Sequence, residues 1–346
     1  MRIIKSLLIF ISVLFFASCV KDKPSDPIVT PVNVTQGHRV YVSSEGNFNA
    51  NNAAVTIYQP SSMQLVADYY KSQNNNAVLG DVCQSIIKSN NNFYMVINNS
   101  GKIVVVDEDN FKLKGTITGF TSPRYILPVS FQKAYVSDLY SNSVSIIDLN
   151  TLTKTGSFAL NGWTEKMELL YNKAFISNMR KNYTYVVNTV NNQITDSINV
   201  GINAGSLVID KNDKLWILSS GDYANNIPAK LTRVDAITLT PEVSLSFSLP
   251  DSPGNLCINA TKDTMYFINK SVYQMPIVAG TIPTTAFITS TNNNYYAIGV
   301  NTKDHTIYLS DAIDFVQKSA ILVYTPQGQF RTLFKAGINS SGFYFE

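Results

Sequence analysis

Histidine, cysteine and charge are all scarce in this 346-residue chain, and each shortage excludes something. The two histidines are His38, ahead of the first strand, and His305, in a KDH turn, so no Ser–His arrangement forms around one site. Three cysteines make neither a disulfide framework nor a zinc spacing. Cys83 and Cys257 lie inside the apolar runs GDVCQSII and GNLCINA and read as small buried hydrophobes, left as unpaired thiols. Charged residues make up 15%, and without Arg2 and Lys5 of the leader the balance is 25 basic to 24 acidic. So neutral a chain has no footprint for nucleic acid. A Gly-rich phosphate loop is absent. The acidic runs DED (107–109) and DKND (210–213) lack the alternating carboxylate order of a calcium loop and read as solvated turns. Past the leader, no stretch is apolar enough to cross a membrane.

What remains is 45% hydrophobic, too apolar for disorder, with 36 Asn against 24 acidic residues, 19 Tyr and 18 Phe. Aromatic and β-branched residues punctuated by Asn, Gly and Pro predict an all-β chain with many turns. Residues 1–18 are a secretory leader: Arg2 and Lys5, an apolar core at 7–16, then Ala17-Ser18. Cys19 directly after the small pair gives a lipoprotein signal with Cys19 as the lipidated first residue, an anchor rather than a span. The rest of 19–37, with Pro24, Pro27 and Pro31, reads as a flexible tether of at most roughly 60 Å.

From residue 38 to 346 one strand recurs seven times: VYVSSEG, FYMVINN, AYVSDLY, AFISNMR, LWILSSG, MYFINKS and IYLSDAI. Their aromatics, Tyr41, Tyr94, Tyr135, Phe175, Trp216, Tyr266 and Tyr308, stand 53, 41, 40, 41, 50 and 42 residues apart. A period near 40 with several strands per unit is the mark of propeller blades. Six units carry four strands in the order inner, aromatic, third and outer. The first lacks an inner strand, and SSGFYFE (340–346) is left over at the other end. A seven-bladed β-propeller closed by its C-terminal strand accounts for both, and removes two sheet edges.

Several runs resemble a known family. VGINAGSLVIDKNDKLWILS (200–219) is similar to the repeat of YncE-type propellers. EGNFNANNAAVTIY (45–58), LGDVCQSI (79–86), INNSGKIVVVD (97–107), GFTSPRYI (119–126), KAYVSDLYSNSVSIID (133–148) and WTEKM (163–167) resemble BtuG-type proteins. The resemblance implies a lipid-anchored outer-membrane protein displayed at the surface of a Bacteroidetes-like cell. Such a protein captures cobalamin or a related corrinoid and passes it to a TonB-dependent transporter of the BtuB type. It implies no enzyme activity, no metal and no cofactor, cobalamin being cargo.

In a propeller the loops after the aromatic strands and the starts of the inner strands gather at one mouth. The loops bring Glu45, Asn47, Phe48, Asn98, Asn99, Asp138, Tyr140, Asn178, Arg180, Asp222, Tyr223 and Asp311. The inner strands bring Asp81, Gln84, Arg124, Tyr125, Trp163, Glu165, Lys166, Asn203, Tyr295 and Tyr296. Loops on a rigid scaffold are where binding usually resides. Under the resemblance, Trp163 with Tyr140 or Tyr125 packs on the corrin plate or its base. Gln84, Asn98 and Asn178 then meet its amides, and Arg124 or Lys166 the phosphate, unless Glu165 holds one of them in a structural pair. A propeller docking a protein or glycan fits the same composition. A metal-dependent hydrolase built on the mouth carboxylates is a distant third reading.

Overall fold

The computed structural model describes residues 38–346; the leader, Cys19 and the tether lie outside the described residues. The expected strands form because each aromatic strand buries both faces. Val40–Ser44 is buried throughout, and Asn92–Ile97 from its second residue on. The outer strands alternate or are largely exposed, as Thr153–Ala159 and Gln193–Asn199 show. Between them, asparagine turns the chain. Thirteen of the 25 non-glycine residues with positive φ among the described residues are Asn, the residue that tolerates the left-handed region best after Gly.

Seven antiparallel sheets result. The inner strands of blades 2 to 7 are Cys83–Ser89, Pro123–Pro128, Thr164–Leu170, Ala204–Ile209, Gly254–Ile258 and Tyr295–Val300. Each inner strand contacts the next in cyclic order, so the sheets close into a seven-bladed propeller. Blade 1 is completed from the far end of the chain: Ser340–Phe345 pairs antiparallel with Val40–Ser44, with Tyr344 opposite Tyr41 and Phe343 opposite Val42. The clasp is also polar. The Glu346 N–H donates to the Arg39 carbonyl at 3.0 Å, and its carboxylate accepts from Lys88 Nζ at 2.9 Å and the Tyr41 hydroxyl at 3.1 Å.

Blade 6 departs from the four-strand expectation. Among the described residues it has three strands, Gly254–Ile258, Thr264–Asn269 and Ser271–Pro276. The chain from Val278 reads VAGTIPTTAFIT, too rich in Gly, Pro and Thr to hold a ladder; it pairs with the sheet at a Val272–Ile288 bridge and packs on it through Ala279, Ile282 and Phe287. The two longer repeats also find their cause. One holds a short helix, Tyr69–Gln73, capped by Asp68, and the other a long loop after Lys214–Ser219.

Packing lies between blades rather than within them. Seven hydrophobic clusters occupy the seven junctions, and the repeated aromatic of each blade reaches toward the next. Tyr41 meets Phe93 of blade 2 with ring centroids 4.5 Å apart, and Tyr308 of blade 7 meets Phe345 of blade 1 at 5.4 Å. Truncating such a buried ring to Ala typically costs about 3–5 kcal/mol. Cys83 and Cys257 lie on the inner strands of blades 2 and 6 as free thiols, and burial pushes both up, Cys257 to about 12. The DED run is a turn whose Asp107 accepts backbone N–H groups at 3.0 and 3.3 Å. Asp210 of the DKND run corrects the solvated-turn reading, being buried and accepting the Trp216 indole N–H at 2.9 Å.

Candidate functional site

Every inner strand is irregular at its mouth end. Pairing with the aromatic strand slips between Cys83 and Ser85, Pro123 and Ile126, Thr164 and Met167, Ala204 and Ser206, Gly254 and Cys257, and Tyr295 and Ala297. In blade 1 the slip falls opposite Ser43 and Ser44, leaving Ser341 unpaired. A bulge releases a residue from the ladder and re-aims its side chain. The released residues include Gln84, Arg124, Tyr125, Glu165, Lys166, Gly205, Asn255, Tyr296 and Ser341, and all nine line one cavity of about 240 Å³ at the mouth. Below it a second cavity of about 320 Å³ continues along the axis between Ile86, Ile126, Met167, Cys257, Ile298 and Phe343. Gln84, Tyr125, Lys166, Asn255 and Ser341 border both, so they form a collar between an upper and a lower chamber.

Hydrogen bonds tie the collar together from blade to blade. The Asn255 amide donates to the Tyr296 carbonyl at 3.1 Å, and the Tyr296 hydroxyl to both Glu45 carboxylate oxygens at 3.1 Å. The Ser341 hydroxyl donates to the Cys83 and Gln84 carbonyls at 3.4 Å, and the Gln84 amide to the Tyr125 hydroxyl at 3.3 Å. Arg124 grips Glu165 in a two-pronged pair, with Nε to Oε2 at 2.8 Å, and donates a further bond to Gln84. Its guanidinium lies 5.7 Å from the Trp163 ring, a cation–π contact. Burial pushes the Glu45 carboxyl up, opposed by Tyr296 and by Arg124. Deeper on the Glu165 strand, burial raises Glu168 to about 7 against the opposing charges of Lys166 and Lys262.

The expected residues fall in several places. Glu45, Gln84, Arg124, Tyr125, Glu165, Lys166, Asn203 and Tyr296 meet in the cavity lining. Asn98, Asp138 and Asn178 are buried in the turns, where their side chains are already bonded. Asn98 holds the Ser122 hydroxyl and Pro123 carbonyl of blade 3 at 2.9 Å. Asp138 accepts from the Ser122, Tyr140 and Ser141 N–H groups, and Asn178 joins the Asn161 carbonyl to the Arg180 N–H. Phe48, Tyr140, Arg180 and Tyr223 stand exposed on rim loops, Phe48 at 70% and Tyr223 at 64%. Asn47 bonds the Phe315 carbonyl at 3.3 Å across the blade 1–7 junction, and Trp163 backs Arg124 without lining the cavity. Sequence reasoning missed Gly205, Ser206, Asn255 and Ser341. The only signal was their position, one or two residues into each inner strand, where a slip is invisible to the alternation.

The mouth sets amides, hydroxyls, aromatic rings and pre-paired charges around a small opening. Among the described residues there is no cluster of three or more potential metal ligands, and no helix is long and apolar enough to cross a membrane. His38 is bonded to Asn301 at 3.2 Å, at the ends of strands remote from the mouth.

Many solved structures superpose on this chain. A quinonprotein alcohol dehydrogenase-like protein from Bacteroides thetaiotaomicron superposes with a TM-score of 0.71 at 14% identity, covering 89% of this chain and 78% of that one. A putative 6-phosphogluconolactonase from Bacteroides fragilis gives 0.67 at 11%, covering 91% and 99%. The periplasmic gluconolactonase of Pseudomonas aeruginosa gives 0.65 at 8%, covering 89% and 98%. At such identities the likeness is one of fold. No match is found among curated proteins. A family model described as a domain of unknown function, DUF5074, matches residues 38–328, from the start of blade 1 to the turn before the last outer strand of blade 7, and the chain belongs to that family.

Proposed function

We propose that this propeller is a capture protein for a corrinoid of the cobalamin type, held at the outer membrane by a lipid on Cys19 and handing its cargo to a TonB-dependent transporter. The observation that carries the reading is the bulge collar. Its polar side chains are largely fixed by one another, a preorganisation that suits binding. The Arg124–Glu165 pair and the Tyr296–Glu45 bond give a preorganised floor, and Phe48, Tyr140 and Tyr223 give an exposed aromatic rim. A corrin plate is far larger than 240 Å³, so it rests on the rim and sends one projecting arm into the cavity. Asn203, Gln84 and Asn255 are the amide partners within reach of that arm.

Calorimetric titration of the full chain with cyanocobalamin tests this, with saturable heat and a visible-spectrum shift expected. The exposed apolar rim favours a second reading, a propeller that docks a protein or glycan. Absence of heat at tens of micromolar cyanocobalamin transfers the case to it. Turnover of a lactone by the purified chain overturns both, and points to the activity named for the gluconolactonase relatives.

A further inference from the structure

The collar does not close. Blades 6, 7, 1, 2, 3 and 4 are joined in that order by side-chain hydrogen bonds, and Ser206 of blade 5 takes the Leu256 N–H of blade 6 at 3.2 Å. Between blades 4 and 5 the circuit stops, because the bulged residue of blade 5 is Gly205. A Cβ there would fall 2.7 Å from the Met179 sulfur, so Met179 lies over the glycine and no polar side chain crosses.

On the wired side, two hydrogen-bond donors of blades 3 and 4 stand unused. Lys166 lines both cavities, with its Nζ 5.6 Å from the centroid of the Tyr125 ring. Among the described residues that ammonium makes no hydrogen bond or ion pair. The Tyr125 hydroxyl accepts from Gln84, which leaves its own proton without an acceptor. The other cation of the collar, Arg124, is matched by Glu165. Lys166 is half-buried and no carboxylate among the described residues is hydrogen-bonded to it, so a ligand oxygen that reaches it makes a charge-assisted bond the fold has left unmade.

We propose that the collar over blades 3 and 4, facing the cavity that the break leaves open, holds an anion subsite, where Lys166 Nζ and the Tyr125 O–H bind a phosphate or carboxylate oxygen of the captured molecule. It rests on the mouth being a capture site and adds the charge of the group that reaches its floor. In a corrinoid that group is the nucleotide phosphate; in another ligand it is a free phosphate or carboxylate.

Two measurements separate these sources. The first is calorimetry with cyanocobalamin and with dicyanocobinamide, which lacks the phosphate. The second is NMR of ¹³C-dimethylated lysines titrated with sodium phosphate and sodium acetate, the Lys166 resonance being assigned by its loss in Lys166→Met. Lys166→Met should weaken cyanocobalamin about 10–100-fold and spare dicyanocobinamide, with Lys166→Arg retaining most of the affinity. Tyr125→Phe should weaken it less, and circular dichroism melting confirms that each variant is folded. If wild-type protein binds neither corrinoid while phosphate or acetate moves the Lys166 resonance, the corrinoid reading fails and the anion subsite stands. Equal losses for both corrinoids, or a Lys166 resonance moved by neither anion, overturn the subsite.

Discussion

In blades 2 to 4 the bulged residues are Gln84, Arg124 with Tyr125, and Glu165 with Lys166; in blades 5 and 6 they include Gly205 and Asn255. The backbone device is the same on both sides. On the first side long side chains fill the axis and bond one another, while on the second the side chains are short and the cavity opens over Asn203, Ser206, Ser220 and Gly254. One irregularity repeated seven times therefore gives a structural wall and a binding face, and the residue type at the slip decides which. Apart from the two unused donors Lys166 and Tyr125, the wired side is where substitutions should cost stability, and the open side where they should cost affinity.

The largest effect should come from cutting the wiring at its first link. Deleting Ser340 to Glu346 removes the inner strand of blade 1, the Ser341 link and the polar clasp. The loss should go well beyond the 0.5–3 kcal/mol of an ordinary substitution and abolish a single cooperative melting transition in calorimetry. A truncated chain that melts within a few degrees of the full one would show that the collar does not depend on closure.

Arg124→Ala comes next. It leaves the Glu165 carboxylate, on a residue 7% exposed, without its partner, and should cost about 3–5 kcal/mol in urea denaturation. Asn255→Ala, on the open side, should cost only about 1 kcal/mol. Removing both partners together in Arg124→Ala/Glu165→Ala should recover part of the loss. Equal costs for Arg124→Ala and Asn255→Ala would erase the distinction between wall and face.

A smaller, pH-dependent effect sharpens the same contrast. Burial raises Glu168 from an ordinary 4.5 to about 7, so the folded protein keeps this proton while the unfolded chain loses it. Stability is therefore lost as pH rises from 4.5 toward 7 and stays lost above that. Glu168→Gln lacks the titration, and its advantage over wild type should grow by about 3 kcal/mol across that window, read as the difference in melting temperature. An advantage independent of pH would mean that Glu168 is solvated in the channel.

Much of the architecture was legible because it rests on local pattern. The aromatic strands recur near every 41 residues since each blade needs one large ring for the next junction, and that requirement writes itself into spacing. The missing inner strand of blade 1 and the surplus at 340–346 match as a count of strands alone. Blade 6 was misread because MPIVAGTIPTTAFIT keeps the length of a strand and turn while its Gly, Pro and Thr content defeats a ladder. Asn98, Asp138 and Asn178 read as ligand contacts because a polar residue at the end of a strand looks alike whether it faces a ligand or caps the next turn.

What the sequence by itself determined is the seven-fold repeat, its closure and the separation of Cys83 from Cys257, all consequences of alternation and spacing along one chain. Tertiary structure alone decided which eight of the 22 expected mouth residues share a cavity, that Arg124 is paired and Lys166 is not, and that Gly205 leaves the gap between blades 4 and 5. The physical reason is the bulge. Alternation along a strand tells in from out, but a slip of a single residue at the crowded axis reverses that sense, and only the neighbouring blades set where the slip falls.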